Sequence, residues 1–263
     1  MMQAVMGAIR GAFSRIFSRN FSRIRGRLFL SQWAGNFLLM LLAAGWLQIP
    51  DSHTWQFAFS MLSGVLLVVG FLWLYVATFR YLRRCALRPP WWLSCLLLAG
   101  FIVIWWLLLQ PIAAGRAREV LFAGYWNSQS PPWVRYHLGY SSLVAWQERI
   151  YDCLQYLLAG LLLPLAVEMC ACGVAGFRRA TRVYRHWFYW LSVLICGFGT
   201  SVITWALVDW TPDAGLVGQT VSILARLGTA YSLDILLWCF VLALIAYYLE
   251  AISTPESELA STA

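Results

Sequence analysis

CLQYLLAGLLLPLAVEMCACGVAGF, residues 153–177, carries one charge, Glu168, in an otherwise apolar run. A spanning helix takes about 20 residues to cross a hydrocarbon core of roughly 30 Å, and this stretch is long enough. A carboxylate at membrane depth must be paired, neutralised or wetted. Glu168 lies one helical turn beyond Pro164, which has no N–H to give the carbonyl of Gly160. That carbonyl is freed, the helix is expected to bend, and Glu168 falls on the same face.

The rest of the chain is of the same kind. Of its 263 residues 61% are hydrophobic and 11% charged, with a mean hydropathy of +0.68. That is too apolar for a soluble domain and too poor in charge to coat one. Apolar runs long enough to span occur at 29–49, 55–79, 91–113, 153–177, 187–208 and 230–252. The reading is an all-α integral membrane protein: a six-helix transmembrane bundle over 29–252, a basic segment at 1–28 and a flexible tail at 253–263. Asp234 falls near the start of the last run, where a helix end would place it in the headgroups. No segment shows the ten-residue alternation of an outer-membrane barrel.

Arginine supplies the orientation, because the chain has no lysine. Arg10 to Arg27 precede the first run, Arg80, Arg83, Arg84 and Arg88 follow the second, and Arg178, Arg179, Arg182 and Arg185 follow the fourth. Alternate connections hold nearly all the positive charge, so both termini are expected in the cytoplasm. The pI of 9.3 is then mainly a topology signal. No solvated basic domain with base-stacking aromatics accompanies it, so nucleic acid is not an expected partner.

In the N-terminal segment Phe13, Phe17 and Phe21 are each followed by serine and then by Arg15, Arg19 and Arg23. At 100° per residue the phenylalanines form one stripe and the arginines face away from it. An amphipathic interfacial helix is expected here, with anionic headgroups as partner. An arginine- and serine-rich start also describes a transit peptide, but the absence of lysine throughout argues for a general preference for arginine. The bacterial inner membrane is the expected location, with the mitochondrial inner membrane as alternative.

Phe29-Leu30-Ser31, Trp92-Leu93-Ser94 and Trp190-Leu191-Ser192 each open a run after a basic stretch, and Pro50, Pro111 and Pro212 lie near the ends. Three repeated hairpins would give this pattern. So would any inner-membrane bundle, and the spacing is uneven. The longest connection, 114–152, holds Tyr125, Trp126, Trp133, Tyr136, Tyr140, Trp146 and Tyr151, broken by Pro131-Pro132. Aromatics at this density suit the headgroup layer.

Chemistry-bearing motifs are few. Six of the seven cysteines fall within runs or beside the arginines, and Cys170 and Cys172 point about 200° apart on a helix, so they are read as core thiols and not as metal ligands. His53, His137 and His186 show no helical metal spacing, although Asp51, Glu119 and Glu148 could join the first two at the outer face. No phosphate-binding loop, nucleophile elbow or dinucleotide fingerprint occurs, and no cofactor or metal is expected. The intramembrane polar candidates are Glu168, Pro164, Asn36, Thr200 and Thr204, the last two on a stripe with Gly197 and Ser201 suited to close helix packing. Glu168 has two readings: a proton or cation site of a small carrier, or a structural role, paired with an arginine such as Arg80 or Arg178 or donating as a protonated acid to a neighbouring helix. At the level of function a scaffold or accessory subunit binding other membrane subunits, or a homo-oligomer, stands first. A proton-coupled carrier comes second and a membrane-embedded enzyme with an outer-face site third.

Overall fold

The computed structural model describes residues 26–50, 52–83, 85, 88–137, 139–208 and 215–261. The Phe13, Phe17, Phe21 and Arg15, Arg19, Arg23 pattern lies outside them, as do Asp51 and Pro212. The described residues form helices α1 (Gly26–Trp46), α2 (Thr54–Leu82), α3 (Trp91–Arg116), α4 (Glu119–Gln129), α5 (Pro132–His137), α6 (Tyr140–Cys172), α7 (Phe177–Val183), α8 (Trp187–Val208) and α9 (Leu216–Ser261), with a 3-10 turn at Val174–Gly176. No strand occurs among them. Six helices, α1, α2, α3, α6, α8 and α9, are long and apolar enough to cross a membrane. The chain is a polytopic, multi-pass helical membrane protein.

Two helices extend well beyond their apolar runs. Neither glycine nor proline occurs between Tyr140 and Ala159, so α6 continues N-terminally through its polar turns to Tyr140. Its other end is set by Gly173, whose φ of +77° is a left-handed conformation that favours glycine; the Gly173 N–H donates to Met169 O at 2.9 Å. The last helix begins at Leu216, not near residue 230, and its apolar span is Val217–Glu250. Arg226 interrupts the hydropathy of this stretch, yet helical backbone tolerates arginine well. Its guanidinium donates to Ser222 O at 3.2 Å and to Leu207 O at 3.1 Å. Asp234 therefore sits near the middle of the span and not at a helix end. The helix is continuous to Ser261, through residues read as a tail.

The core gathers where α2, α6, α7, α8 and the C-terminal half of α9 meet the arginine-bearing connections. Val76, Phe79, Val167, Val183, Leu242 and Ile245 are among its fully buried members. The first hairpin is peripheral to it. The buried residues of α2 are confined to Val76–Arg80, and its apolar window contains none, only half-buried and exposed side chains. An apolar cleft of about 690 Å³ runs between α1 and α2, lined by Leu38, Leu42, Leu66 and Leu74 among others. A second, of about 590 Å³, lies between α1, α2 and α3. At the far end of the hairpin Trp46 Nε1 donates to Ser60 O at 2.8 Å, closing it.

Cys85 and Cys172 are joined by a disulfide, with Cα atoms 5.5 Å apart. This corrects the reading of Cys172 as a core thiol. Because Gly173 ends α6, Cys172 lies at the helix terminus and meets the connection that follows α2.

Candidate functional site

Glu168 is wholly buried on α6. Arg83, the first residue beyond α2, grips it with two bonds: Nε donates to Oε2 at 2.7 Å and Nη2 to Oε1 at 3.0 Å. Paired N–H donors matching both carboxylate oxygens form the strongest geometry available to such a pair. Arg179, on α7, adds a longer ion contact of 3.6 Å from the half-exposed side. Gly176 closes the remaining face, since a Cβ there would stand 2.5 Å from Glu168 Cγ. The acid thus pairs with arginine, as one reading anticipated, but with Arg83 and Arg179 in place of Arg80 or Arg178. Arg83 reaches it because the chain leaves helical geometry at that residue, with φ of −115° and ψ of 115°.

The backbone opened by Pro164 is closed by α8. Tyr189 Oη donates to Gly160 O at 2.6 Å, so the freed carbonyl has a protein partner. Gly160 lets α8 come this close, because a Cβ there would meet Val193 at 3.0 Å. At the next residue the Tyr184 hydroxyl donates to Leu161 O. Burial pushes the Tyr184 phenol above its usual range, which keeps it a donor.

Arg80 makes a second arrangement in the same region. Its Nη2 donates to Ser94 Oγ at 2.7 Å and to Pro89 O, and Ser94 Oγ passes the chain on to Cys170 O at 2.7 Å. The guanidinium lies 4.2 Å from the Trp91 ring centroid, a cation–π contact. Together with the Cys85–Cys172 bridge, these contacts fasten the connection between α2 and α3 to the end of α6.

The other candidates do not join Glu168. Asn36 Nδ2 donates to Gln32 O at 2.8 Å, and Tyr75 Oη donates to Asn36 Oδ1 at 3.2 Å. With the bond from Gln32 Nε2 to Thr78 Oγ1, these form a polar clasp between α1 and α2. Thr200 lies near the Asp234 carboxyl group, and both line a cavity of about 280 Å³ between α6, α8 and α9. Thr204 is exposed one turn further along α8. Asn36, Glu168 and Thr200 therefore belong to three separate groups.

At the opposite end, the His53 N–H donates to Gln56 Oε1 at 3.0 Å, where α2 begins. His137 stacks edge-on against Tyr136. Among the described residues no group of three or more histidine, cysteine or acidic side chains could hold a metal ion. Arg116 pairs with Asp152 at the surface, tying α3 to α6. The Tyr156 and Ser201 hydroxyls bond to each other between α6 and α8.

Sequence reasoning missed the roles of Gln32 and Arg83 and placed Asp234 too near a helix end. A glutamine inside an apolar run was a visible signal for Gln32, whereas Arg83 was one of several arginines with no local mark to single it out. No family model, curated protein or solved structure matches the chain.

Proposed function

We propose that this protein acts as a membrane scaffold or accessory subunit, binding other membrane components through surfaces its own bundle leaves uncovered. The observation that supports this most is the first hairpin: the apolar window of α2 has no fully buried residue, and clefts of about 690 and 590 Å³ open beside it. In lipid an uncovered apolar helix costs little, since acyl chains are as apolar as leucine. Association there rests on shape, packing and a few hydrogen bonds. A cleft of this size is room for an acyl chain or the side chains of a neighbouring helix. The aromatic stretch of α4 and α5, with Tyr125, Trp126, Trp133 and Tyr136 all exposed, adds a surface away from the arginine-bearing connections that follow α2 and α6, suited to headgroups or a partner.

The alternative is a proton-coupled carrier working through Glu168 and the Pro164 bend. It would require the carboxylate to leave the paired bonds of Arg83 and the Gly160 carbonyl to leave Tyr189 during each cycle. Native mass spectrometry of the protein released gently from its own membrane separates the two. Stoichiometric foreign subunits are the expected result. A monomer or homo-oligomer carrying only lipid would overturn the assembly role and make the carrier the leading reading.

A further inference from the structure

Asp234 is an acid within a spanning helix, and it differs from Glu168 in having no arginine partner among the described residues. It lies near the middle of the Val217–Glu250 span. The Thr200 hydroxyl neighbours the carboxyl group, while Asp234 Oδ1 is buried without a hydrogen-bond partner. No ion pair involves Asp234 among the described residues. Arg226 on the same helix is eight residues away, about 12 Å along the axis, and its guanidinium is directed to Leu207 O and Ser222 O. An acid in hydrocarbon marks a functional site by default. Here the acid lines a cavity between three helices.

The space has a definite chemistry. The cavity of about 280 Å³ beside Asp234 is walled by Leu163, Val193 and Val241, with the aromatic rings of Tyr156 and Trp238. Trp238 Nε1 is also buried without a partner. Hard inorganic cations such as calcium or magnesium require about six or more oxygen ligands. Asp234 and Thr200 offer three, and the Tyr156 hydroxyl is already bonded to Ser201. An organic ammonium needs less: one carboxylate for its charge, an aromatic face and apolar walls for its body.

We propose that the cavity between α6, α8 and α9 binds a small organic cation, an ammonium group on an apolar body, with Asp234 meeting its charge and Thr200 its N–H. The volume falls just under the roughly 300 Å³ at which drug-sized pockets begin, which restricts the ligand to a small amine. Such a molecule partitions into the bilayer and reaches the cavity from lipid. The site is independent of the assembly role proposed above.

The test uses the full chain in nanodiscs of zwitterionic lipid and equilibrium dialysis of radiolabelled 2-phenylethylamine, with empty nanodiscs subtracted. One saturable site is expected. Asp234→Asn should weaken it at least tenfold and Thr200→Val several-fold. Asp152→Asn, at a surface ion pair, should leave it unchanged. Neutral 2-phenylethanol should compete at least tenfold less well than unlabelled amine. Absence of saturable binding, equal competition by the alcohol, or full affinity in a folded Asp234→Asn variant would each overturn the proposal. If Asp234→Asn does not fold, Thr200→Val and the alcohol competition decide it.

Discussion

Glu168 and Asp152 both pair with arginine, and the difference in their surroundings sets very different energetic roles. Glu168 and Arg83 are almost wholly covered by protein, whereas Arg116 and Asp152 are 43% and 30% exposed. Removing one member of a buried pair strands the other charge, at a cost of roughly 3–5 kcal/mol, while an exposed pair contributes about 0–1 kcal/mol. Glu168→Gln is therefore expected to lower stability strongly and Asp152→Asn hardly at all, as measured by thermal melting in one detergent. The double change Arg83→Met, Glu168→Leu should recover most of the loss, because it removes both charges together. A carrier role for Glu168 makes a different forecast: loss of transport with melting unchanged. Tyr189→Phe isolates the other polar contact of this region. Losing the donor to the Gly160 carbonyl should cost about 1 kcal/mol, in the range of interhelical hydrogen bonds in membranes.

At the level of elements, close approach governs how α6 meets its neighbours. Gly197 of α8 faces the Tyr156 ring so closely that a Cβ would lie 2.5 Å from its Cγ. A rigid ring attached to helix backbone cannot withdraw as a flexible side-chain end can. Gly197→Ala is expected to destabilise by roughly 1–3 kcal/mol, and replacing Tyr156 by leucine in the same chain should relieve part of that. Such non-additivity, read from a double-mutant cycle of melting or denaturant resistance, would place the two residues in one contact. The stripe of Gly197, Thr200 and Ser201 was legible in the sequence as a packing surface. The ring that fills it was not, because Tyr156 is one of twelve tyrosines and nothing near it in the chain records which helix lies opposite.

For the molecule as a whole, the bundle is fastened at the arginine-bearing connections and loose at the first hairpin. The Cys85–Cys172 bridge, the Arg83–Glu168 pair and the Arg80–Ser94–Cys170 chain all connect the same two regions. Thiol counting checks the bridge. Of seven cysteines, five are free, so denatured protein purified in air should take up five maleimide labels before reduction and seven after. Seven before reduction would show the pair to be a dithiol, the state a reducing cytoplasm maintains. The hairpin makes the complementary forecast. Single cysteines placed at exposed Leu66 or Val69 of α2 in a chain lacking its native cysteines should cross-link to a neighbouring protein in native membranes if the assembly role holds, and to none if only lipid covers that face.

Composition and apolar run length were enough to determine a helical protein with six spans, because each spanning segment must satisfy its own backbone hydrogen bonds and meet the thickness of the bilayer. Those demands act on local sequence, so they can be read there. Helix ends were less legible: Arg226 interrupts hydropathy but not helix formation, and Asp234 moved to mid-span as a result. Only the tertiary structure decided which arginine meets Glu168, which hydroxyl covers the carbonyl that Pro164 frees, and which acid is left facing a cavity. Those outcomes depend on contacts between helices distant along the chain, where charge and shape pair across space and no periodicity records the partner.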